Sequence, residues 1–403
     1  MDADVIIVGA GPAGSATALL LARRRHRVLM VDRARFPRPK PCGEYLNPGA
    51  VETLRRLGVA DAAGRAGVSI SGMFIAGPGG ETLWAPFPTG HGLLVPRERL
   101  DHLLMHAAMR AGAGMIEECR VDAVSAGPPV LVTARRGDEP LQLRAHLVVG
   151  ADGIRSTVAR RLGPLAPAVP GHYTIGAHFE DLSVDVPRGD LHLGWGWYAG
   201  AAVYGRGRGN VVVAVPRAAL QRCQGDSDAV FQQACASLPA LSAMLAGARR
   251  TTPFVSVGPL GYTRRPPIGD GVVLVGDAAG TINPMTGEGI ALALRGAELA
   301  AAVADRALRT GDVSRRAIAS YERARAAAFH GTWTVSRMLQ WIVRRPHMAA
   351  RLFRGLARDP SLASHLLGVV GDVRPIRDVL NAGYLIRLIA HASGPSRSHR
   401  RAV

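Results

Sequence analysis

Two carboxylates that each follow an apolar run are the residues of this sequence best placed to bind a ligand. Asp32 ends the segment DVIIVGAGPAGSATALLLARRRHRVLMVD, and Asp277 directly follows GVVLVG. Short apolar runs are typical of buried strands, and ligands of open α/β sheets bind beyond the carboxyl ends of such strands. Both carboxylates are therefore placed to accept hydrogen bonds from hydroxyl groups of a bound molecule.

Three glycines separate the first strand from the helix that follows it. Gly9 permits a tight turn, Gly11 allows the backbone to approach a pyrophosphate, and Gly14 allows the helix to pack closely on the strand. N–H groups at the start of this helix would bind the phosphates. Glycines that only form a turn would not require the flanking strands and Asp32, so the unit predicts a dinucleotide site. FAD and NAD both fit it.

The segment around Asp277 contains a second helix start. After the loop residue Pro284, the run TGEGIALALRGAELAAAVADRAL opens an amphipathic helix at Gly287 and Gly289. Two glycines at a helix start expose backbone N–H groups to a ligand, and the helix dipole favours negative charge there. An ordinary strand-to-helix turn with an aspartate cap is the alternative.

A third motif, LVVGADGIRSTVARRLG, contains Asp152 and Gly153, and Arg97 lies in VPRERLDHLLMHAAMRAGA. With these motifs in this order, the chain resembles the FAD-dependent oxidoreductases of the p-hydroxybenzoate hydroxylase type. That class includes aromatic hydroxylases, flavin halogenases and geranylgeranyl reductases. The resemblance covers most of residues 1–312 and lies near the geranylgeranyl reductase and halogenase branch.

The resemblance implies an α/β fold, in which a Rossmann-type FAD-binding domain carries an inserted antiparallel β-sheet substrate domain and is followed by a helical C-terminal region. It implies bound FAD, with Asp277 on the ribityl chain, the helix start at Gly287 beside the reduced ring, and Arg97 in contact with the flavin. Asp152 belongs to the same set, although capping of the following helical turn is an equally compatible role. We extend the predicted cofactor-binding set to neighbouring residues, namely Ala13, Arg33, Val121, Gly276, Gly289 and Ile290.

The length of 403 residues and the hydrophobic content of 48% are sufficient for two domains with large cores. We predict a discontinuous FAD-binding domain at residues 1–75, 97–164 and 266–312. The substrate-binding β domain is expected at residues 76–96 and 165–265. A helical C-terminal region is expected at residues 313–390, with a disordered tail at 391–403.

The formal net charge of +18 raises the question of a nucleic-acid or membrane partner. The basic residues are nearly all arginine, with Lys40 the sole lysine, and they are spread through every segment. Aromatic residues make up only 5% of the chain, so we predict no nucleic-acid binding. Weak membrane-surface contact through the basic C-terminal helices is left open. The oligomeric state is not predicted.

The four cysteines include no CxxC pair and no His/Cys cluster, which predicts no metal site. The first strand begins near residue 4, and no charge-free run approaches the length of a membrane span. We therefore expect a cytoplasmic protein.

Two candidate catalytic residues, Cys42 and Glu44, lie in FPRPKPCGEYLNPGAVETLRRLG. The PCGE core resembles the geranylgeranyl reductase branch, in which the matching cysteine lies near the flavin and a second glycine more often follows Cys-Gly. Glu44 would supply or relay a proton at the flavin, or would be a solvated loop residue. Cys42 would be reactive, or would be a small residue in a proline-fixed loop.

The segment LHLGWGWYAGAAVYG, taken as one strand, places its two tryptophans on one apolar face. Glycines opposite bulky aromatics mark close approach. We therefore predict that Trp195, Trp197, Tyr204 and Pro284 line a pocket for a flat or apolar substrate; ordinary core packing is the alternative. The tryptophans are similar to an aromatic motif of halogenases and geranylgeranyl reductases, without the proline of that motif.

The favoured hypothesis is an FAD-dependent monooxygenase that uses NAD(P)H and hydroxylates a hydrophobic, aromatic or polyketide-like metabolite of secondary metabolism through a flavin hydroperoxide. This chemistry needs a dry pocket and a base for a phenol. No second dinucleotide fingerprint occurs, which agrees with transient binding of NAD(P)H. Several residues are candidates for handling protons and none stands out, namely His91, His172, His178, His192 and Tyr204.

Three alternatives are kept. PKPCGE and the long helical C-terminus favour a C=C reductase of prenyl or other lipophilic substrates. A halogenase is weaker, because those enzymes carry an essential lysine in a more distal segment and this chain has only Lys40. A non-catalytic flavin scaffold would dock on membranes or partners through TWTVSRMLQWIVRRPHMAARLFRGLAR, whose apolar residues include Trp333, Met338, Trp341 and Ile342. The same segment would otherwise pack on its own domain and roof the pocket.

Overall fold

A computed structural model of the protein describes residues 1–125, 127–163, 169–263 and 266–393. The strands within these residues are β1 (Val5–Val8), β2 (Val28–Val31), β3 (Tyr45–Leu46), β4 (Val68–Ile70), β5 (Gly72–Ala76), β6 (Thr82–Pro86), β7 (Gly92–Leu94), β8 (Gly114–Ile116), β9 (Cys119–Val124), β10 (Val130–Arg136), β11 (Glu139–Ala145), β12 (Leu147–Gly150), β13 (Val169–Glu180), β14 (Arg188–Leu193), β15 (Tyr198–Gly205), β16 (Arg208–Pro216), β17 (Arg249–Arg250), β18 (Val255–Tyr262), β19 (Ile268–Gly269) and β20 (Val272–Leu274).

The helices in the same residues are α1 (Pro12–Arg23), α2 (Pro48–Arg56), α3 (Ala60–Ala66), α4 (Arg97–Arg110), α5 (Thr157–Arg160), α6 (Arg217–Arg222), α7 (Ser227–Ala236), α8 (Pro239–Met244), α9 (Gly289–Thr310), α10 (Arg315–Val343), α11 (Pro346–Arg358), α12 (Pro360–Val370) and α13 (Ala382–Ser393). Short 3-10 helices lie at Gly276–Ala279, Pro284–Thr286 and Ile376–Asp378. None of the helices in the described part of the chain combines the length and the apolarity needed to cross a membrane.

The first sheet has six strands in the order β19-β20-β12-β1-β2-β8, and all neighbours except β19 run parallel. The strands are apolar because both faces are covered. Helices α1, α4 and α9 pack on one face, and strands β9 and β10 pack on the other. This arrangement confirms the predicted α/β class with a Rossmann-type unit.

The second large sheet has eight strands, in the order β17-β13-β16-β15-β14-β5-β6 with β18 also paired to β13. Its neighbours are antiparallel except β14 and β5. Helices α6 to α8 cover one face, and helices α10 to α12 pack against the other. The inserted antiparallel sheet and the helical C-terminal region of the prediction are both present.

Prolines divide the C-terminal helices. Pro346 and Pro360 each occupy the first position of a helix, where a missing N–H costs no helical hydrogen bond. The predicted tail beginning at residue 391 is wrong at its start, since α13 continues to Ser393. Residues 394–403 of that predicted tail lie outside the described residues.

The tryptophan segment is a hairpin instead of one strand. Leu193 of β14 pairs with Tyr198 of β15, and the N–H of Gly194 donates to the Trp197 carbonyl at 2.9 Å. Gly196 has a φ of 86°, a left-handed conformation that glycine adopts without strain. The hairpin turn interrupts the two-residue alternation of faces that a continuous strand would have. The predicted common face of Trp195 and Trp197 is therefore wrong.

Candidate active site

A cavity of about 1040 Å³ lies between the six-stranded sheet, the eight-stranded sheet and the C-terminal helices. One part of its lining, the cofactor wall, is formed by strand ends and helix starts around the first sheet. The structure brings together there most of the residues predicted to bind the cofactor: Gly9, Gly11, Ala13, Asp32, Arg33, Arg97, Val121, Asp152, Gly276, Asp277, Gly287, Gly289 and Ile290.

The glycine turn at the end of β1 has no room for side chains at two of its positions. Gly9 has a φ of 101°, and a Cβ there would lie 2.5 Å from the Ala151 carbonyl oxygen. A Cβ on Gly14 would lie 1.8 Å from the Gly9 oxygen, so Gly14 serves close helix packing and does not line the cavity. Gly11 differs, because its Cβ would meet only the Arg38 side chain, at 3.6 Å. The glycine turn therefore has open space beside Gly11.

Asp32 and Asp152 follow β2 and β12, the two strands that flank β1, and both line the cavity. Asp32 is buried, and its carboxylate accepts from the N–H groups of Ala10 at 2.8 Å and Ala34 at 2.9 Å. Asp152 Oδ2 accepts from the Thr157 N–H at 2.6 Å, whereas its buried Oδ1 makes no hydrogen bond to any described residue. Burial raises the pKa of Asp152. Ser156 is the N-cap residue of helix α5 and accepts from the Ala159 N–H, while Asp152 binds the first N–H of the same helix.

Helices α1 and α9 both begin at the cofactor wall without a side-chain cap. Gly11, which precedes α1, has no side chain, and the side chain of Glu288, which precedes α9, does not bond the first N–H groups of that helix. Backbone N–H groups at such starts bind anions. Asp277 lies in the 3-10 turn between β20 and α9 and lines the cavity. An added Cβ on Gly289 would meet no atom within 4 Å, so this turn is open.

Arg97 begins α4 and is buried beside Asp101. Its Nε and Nη2 donate to the two Asp101 oxygens at 2.8 Å each, a bidentate pair. Burial works against the charge of Arg97, but the pairing with Asp101 outweighs it and raises the pKa of Arg97. Lys40 also lines the cavity, and burial lowers its pKa. Lys40 Nζ lies 3.9 Å from the position of a Cβ on Gly153, on the cofactor wall.

Glu44 is the centre of a hydrogen-bond cluster at the cavity. Its side chain is almost fully buried, and its backbone has a φ of 55°. Oε1 accepts from the Arg97 N–H at 2.9 Å. Oε2 accepts from the Tyr204 hydroxyl and lies 3.1 Å from His178 Nε2. We call Glu44, His178 and Tyr204 the acid cluster.

The acid cluster connects the cavity with solvent. Glu44 lines the cavity, whereas the His178 side chain is 35% exposed. The hydrogen bond that His178 donates to Glu44 raises the pKa of His178, because the carboxylate stabilises the imidazolium. Burial and the neighbouring Glu44 raise the pKa of Tyr204, so its hydroxyl stays protonated. The cluster thus holds a proton one hydrogen bond from a carboxylate at the cavity.

Cys42 lines the cavity two residues before Glu44. Its Sγ accepts from the Glu44 N–H at 3.3 Å, and its carbonyl accepts from Asn210 Nδ2 at 2.7 Å. These bonds hold the turn that directs Glu44 into the acid cluster. Within the described residues, no group of three or more His, Cys, Asp or Glu side chains could hold a metal ion.

The remaining lining, which we call the apolar end, lies between the eight-stranded sheet and the C-terminal helices. Strands β5 and β14 form its floor, and helices α10, α11 and α12 close it from above. Its large side chains are Met73, Ile75, Leu191, Leu193, Phe329, Trp333, Leu339, Val343, Leu352, Phe353, Leu356, Leu366, Leu367 and Val370. A contact surface of this kind suits a ligand that is itself apolar.

A second polar cluster lies between the cofactor wall and the apolar end. Tyr198, which lines the cavity, donates its hydroxyl proton to Asn283 Oδ1 at 2.7 Å. Asn283 Nδ2 lies 3.1 Å from His172 Nδ1. Burial raises the pKa of Tyr198, so the phenol stays neutral. Sequence reasoning missed Tyr198 and Asn283; the Asn-Pro pair that starts the 3-10 turn was their only local signal.

Of the predicted pocket residues, Pro284 lines the cavity and the others do not. Trp195 is 46% exposed in the hairpin turn, and Trp197 packs toward the core under α6 to α8. The prediction that the tryptophans wall the pocket is therefore wrong, because the turn rotates them away from the cavity. Tyr204 also lies outside the lining and acts through Glu44. Sequence reasoning ranked His178 no higher than the other histidines, since only the fold brings it to Glu44.

The features of the cofactor wall fit a dinucleotide with two phosphates and a ribityl chain. Two uncapped helix starts, an open glycine turn and the unpartnered Asp152 Oδ1 are present where such a group needs N–H donors and carboxylate acceptors. Residues 2–334 match the model of a family described as an FAD binding domain. The chain belongs to this family. It is an FAD-dependent oxidoreductase, and the predicted resemblance is confirmed.

Two relatives of this FAD-dependent oxidoreductase are reductases. The menaquinone reductase of Mycobacterium tuberculosis is 32% identical over 326 residues, which cover 75% of this chain and 77% of that protein. Digeranylgeranylglycerophospholipid reductase 2 of Methanopyrus kandleri is 29% identical over 334 residues, covering 80% and 82%. The structure of a flavin-dependent brominase superposes with a TM-score of 0.80 at 19% identity, covering 92% of this chain and 93% of that one, which is a likeness of fold.

Proposed function

We propose that this FAD-dependent oxidoreductase hydrogenates a carbon–carbon double bond in the isoprenoid chain of a lipid. The observation that carries the proposal is the apolar end, which continues directly from the cofactor wall beneath helices α10 to α12. Burying an apolar chain there is favourable by about 25 cal/mol per Å² of surface removed from water. The names of the two reductases related to this chain support the same substrate class.

Reduction of a double bond requires a hydride on one carbon and a proton on the other. Reduced FAD, when bound at the cofactor wall, supplies the hydride. The proton must come from the protein, at a point where the cofactor wall meets the apolar end. Glu44 lines the cavity and belongs to a cluster that already holds a proton. We assign Glu44 the role of proton donor to the substrate carbon.

His178 reprotonates Glu44 with a proton taken from solvent. Its Nε2 lies 3.1 Å from Glu44 Oε2, and its ring is the exposed member of the cluster. The imidazolium passes its proton to Glu44 as Glu44 gives a proton to the substrate, and the neutral ring takes another from water. A general acid operates best when its pKa lies near the working pH, and the raised pKa of His178 moves in that direction.

Arg97, Cys42 and Tyr204 position Glu44. The Arg97 N–H and the Tyr204 hydroxyl each donate to one carboxylate oxygen, and Cys42 Sγ accepts the Glu44 N–H. Asp101 holds the Arg97 side chain at the cofactor wall. Each contact orients the carboxylate without itself giving up a proton.

NAD(P)H is the proposed reductant of the bound flavin. The chain contains one glycine fingerprint, at Gly9, which the cofactor wall uses. A nicotinamide cofactor that binds transiently and leaves before the substrate enters would need no second fingerprint. A separate electron-donating protein is the competing possibility, and purified enzyme incubated with NADH or NADPH alone distinguishes them by loss of flavin absorbance.

Hydroxylation, the hypothesis favoured by the sequence, is the competing reaction. Purified holoenzyme is incubated with NAD(P)H and an isoprenoid lipid, once in air and once under nitrogen, and the products are analysed by mass spectrometry. Reduction predicts a product heavier by two hydrogens in both atmospheres. A product heavier by one oxygen, formed only in air, would establish the monooxygenase instead.

A further inference from the structure

Helix α13 carries its large apolar residues on the outside of the protein. Leu385, Ile386 and Ile389 are 45%, 66% and 64% exposed. Among residues 382–392 of this helix, whose burial the structure describes, only Tyr384, Leu388 and Ala392 turn toward the core. An isolated exposed leucine needs no explanation, but adjacent turns of exposed Leu and Ile on one helix form a patch that marks an interaction site.

Helix α11 extends the patch. α13 runs alongside α11 in the same direction, because Leu388 packs at Gly355 and the His391 carbonyl accepts from Arg358. Met348 precedes Gly355 by two helical turns, so it lies on the same side of α11, toward the start of α13. Met348 and Leu380 are 38% and 41% exposed. We call Met348, Leu380, Leu385, Ile386 and Ile389 the C-terminal face.

The surroundings of the C-terminal face are basic. Residues 341–393 contain eight arginines and three aspartates. Two of the aspartates are already paired with arginines, Asp359 with Arg387 and Asp378 with Arg374. Arg351 and Arg354 are exposed on α11. An apolar helix face bordered by arginines has the composition of a helix that lies in the interface of an anionic bilayer.

The inner side of α11 lines the apolar end of the cavity. Leu352, Phe353 and Leu356 line the cavity, and Met348, one turn before Leu352, is exposed near the start of the same helix. The C-terminal face therefore borders the helix that closes the cavity, because α13 packs on α11 through Leu388 at Gly355. A bilayer on this face would lie close to the compartment that receives the isoprenoid chain.

We propose that the C-terminal face docks on anionic lipid bilayers, so that the enzyme takes its lipid substrate directly from the membrane. The sequence suggested residues 332–358 for such contact; Met348 of that segment belongs to the C-terminal face, whereas Trp333 lines the cavity. α13 supplies three of the five docking residues, Leu385, Ile386 and Ile389. The proposal goes beyond the reaction, and its test measures binding without turnover.

The test is flotation of the FAD-loaded full chain with vesicles of phosphatidylcholine containing phosphatidylglycerol, at low and at high salt. The wild-type protein should float with the anionic vesicles, less at high salt and little with pure phosphatidylcholine. The double variant Ile386→Asp/Ile389→Asp should bind at least about tenfold more weakly. The matched control is Val186→Asp, because Val186 is 64% exposed on a loop outside the C-terminal helices and should leave flotation unchanged.

Two results would overturn the proposal. One is failure of the wild-type protein to float with anionic vesicles at low salt, or equal flotation of the double variant. The other is concentration-dependent self-association without vesicles that the double variant abolishes, since the C-terminal face would then bind a second copy. Reduction of a detergent-dispersed substrate by the double variant at the wild-type rate separates loss of docking from loss of fold or of catalysis.

Discussion

Glu44 and His178, 134 residues apart in the chain, meet at 3.1 Å between a carboxylate oxygen and a ring nitrogen. One residue lines the cavity and the other is 35% exposed, so the pair connects the reaction space with solvent. The contact forms because β13, which carries His178, belongs to the sheet that closes the cavity over the loop of Glu44. This relationship is the basis of the proposed proton supply.

Replacing Glu44 with Gln should remove the proton donor and preserve the shape of the site. The amide still accepts from the Arg97 N–H, but it cannot carry a proton to the substrate. We expect turnover to fall by about 10² or more, with FAD content unchanged. Single-turnover kinetics of the reduced enzyme would show the loss in the step that consumes substrate. Reduction of FAD by NAD(P)H at a normal rate serves as the internal control.

Replacing His178 with Gln should change the pH profile. The Glu44 carboxylate raises the pKa of His178, so the cationic form persists to higher pH and is lost as the pH rises through that pKa. Wild-type turnover should decline on this alkaline limb, and His178→Gln should lack the limb and turn over more slowly at lower pH. His146→Gln, a change at an exposed histidine, is the matched control. An unchanged alkaline limb in His178→Gln would remove His178 from the proton pathway.

The buried Glu288 should make stability fall with rising pH. Burial raises the pKa of Glu288 well above its ordinary value, and Thr286 donates to it at 2.6 Å. Because the folded-state pKa is the higher one, the stabilisation is complete below the unfolded-state pKa and is lost as the pH rises toward the folded-state pKa. Glu288→Gln should abolish this loss of unfolding free energy, which amounts to about 1.4 kcal/mol for each unit by which the folded-state and unfolded-state pKa values differ. Urea unfolding across a pH series measures it, and parallel curves for both proteins would contradict the assignment.

Gly11→Val should give a folded protein that lacks FAD. A Cβ at Gly11 meets only the end of the flexible Arg38 side chain, so the fold tolerates it. The valine side chain would fill the space beside the glycine turn that the phosphates need. Gly14→Ala is the contrasting variant, since its Cβ would lie 1.8 Å from a backbone oxygen and should impair folding itself. The FAD-to-protein ratio and circular dichroism together measure both effects. Normal FAD content in Gly11→Val would show that the cofactor lies elsewhere.

The apolar end should discriminate between substrates by the length of their isoprenoid chains. Leu366 of α12 lines the cavity and is only partly buried, so a larger side chain there would shorten the available space. Leu366→Trp should raise KM for a long isoprenoid substrate by about tenfold and leave a short-chain substrate nearly unaffected. Leu366→Met preserves the volume and should behave as the wild-type protein. Equal effects of Leu366→Trp on both chain lengths would indicate a structural defect.

The cofactor wall could be predicted from the sequence because its residues lie in local motifs. Gly9, Gly11 and Asp32 belong to one strand-turn-helix-strand unit, and Asp277 follows its own strand directly. In each case the spacing along the chain determines the spacing in space. The α/β class followed from the same units.

The acid cluster and the apolar end could not be predicted in this way. His178 and Tyr204 reach Glu44 only through the pairing of β13, β16 and β15, a long-range arrangement without a local signal. Periodicity also failed at Trp195, because a two-fold alternation does not reveal the hairpin turn that interrupts it. The helices that close the apolar end were recognisable as helices, but their docking on the eight-stranded sheet was not.

The central claim is that an isolated carbon–carbon double bond accepts the electrons of the reduced flavin. The most direct measurement follows the visible absorbance of the reduced holoenzyme under nitrogen after addition of a polyprenyl lipid without a quinone ring. The account predicts reoxidation of one flavin per double bond reduced, and none with the fully saturated lipid. Flavin that stays reduced with both lipids and reoxidises only when oxygen is admitted would contradict it.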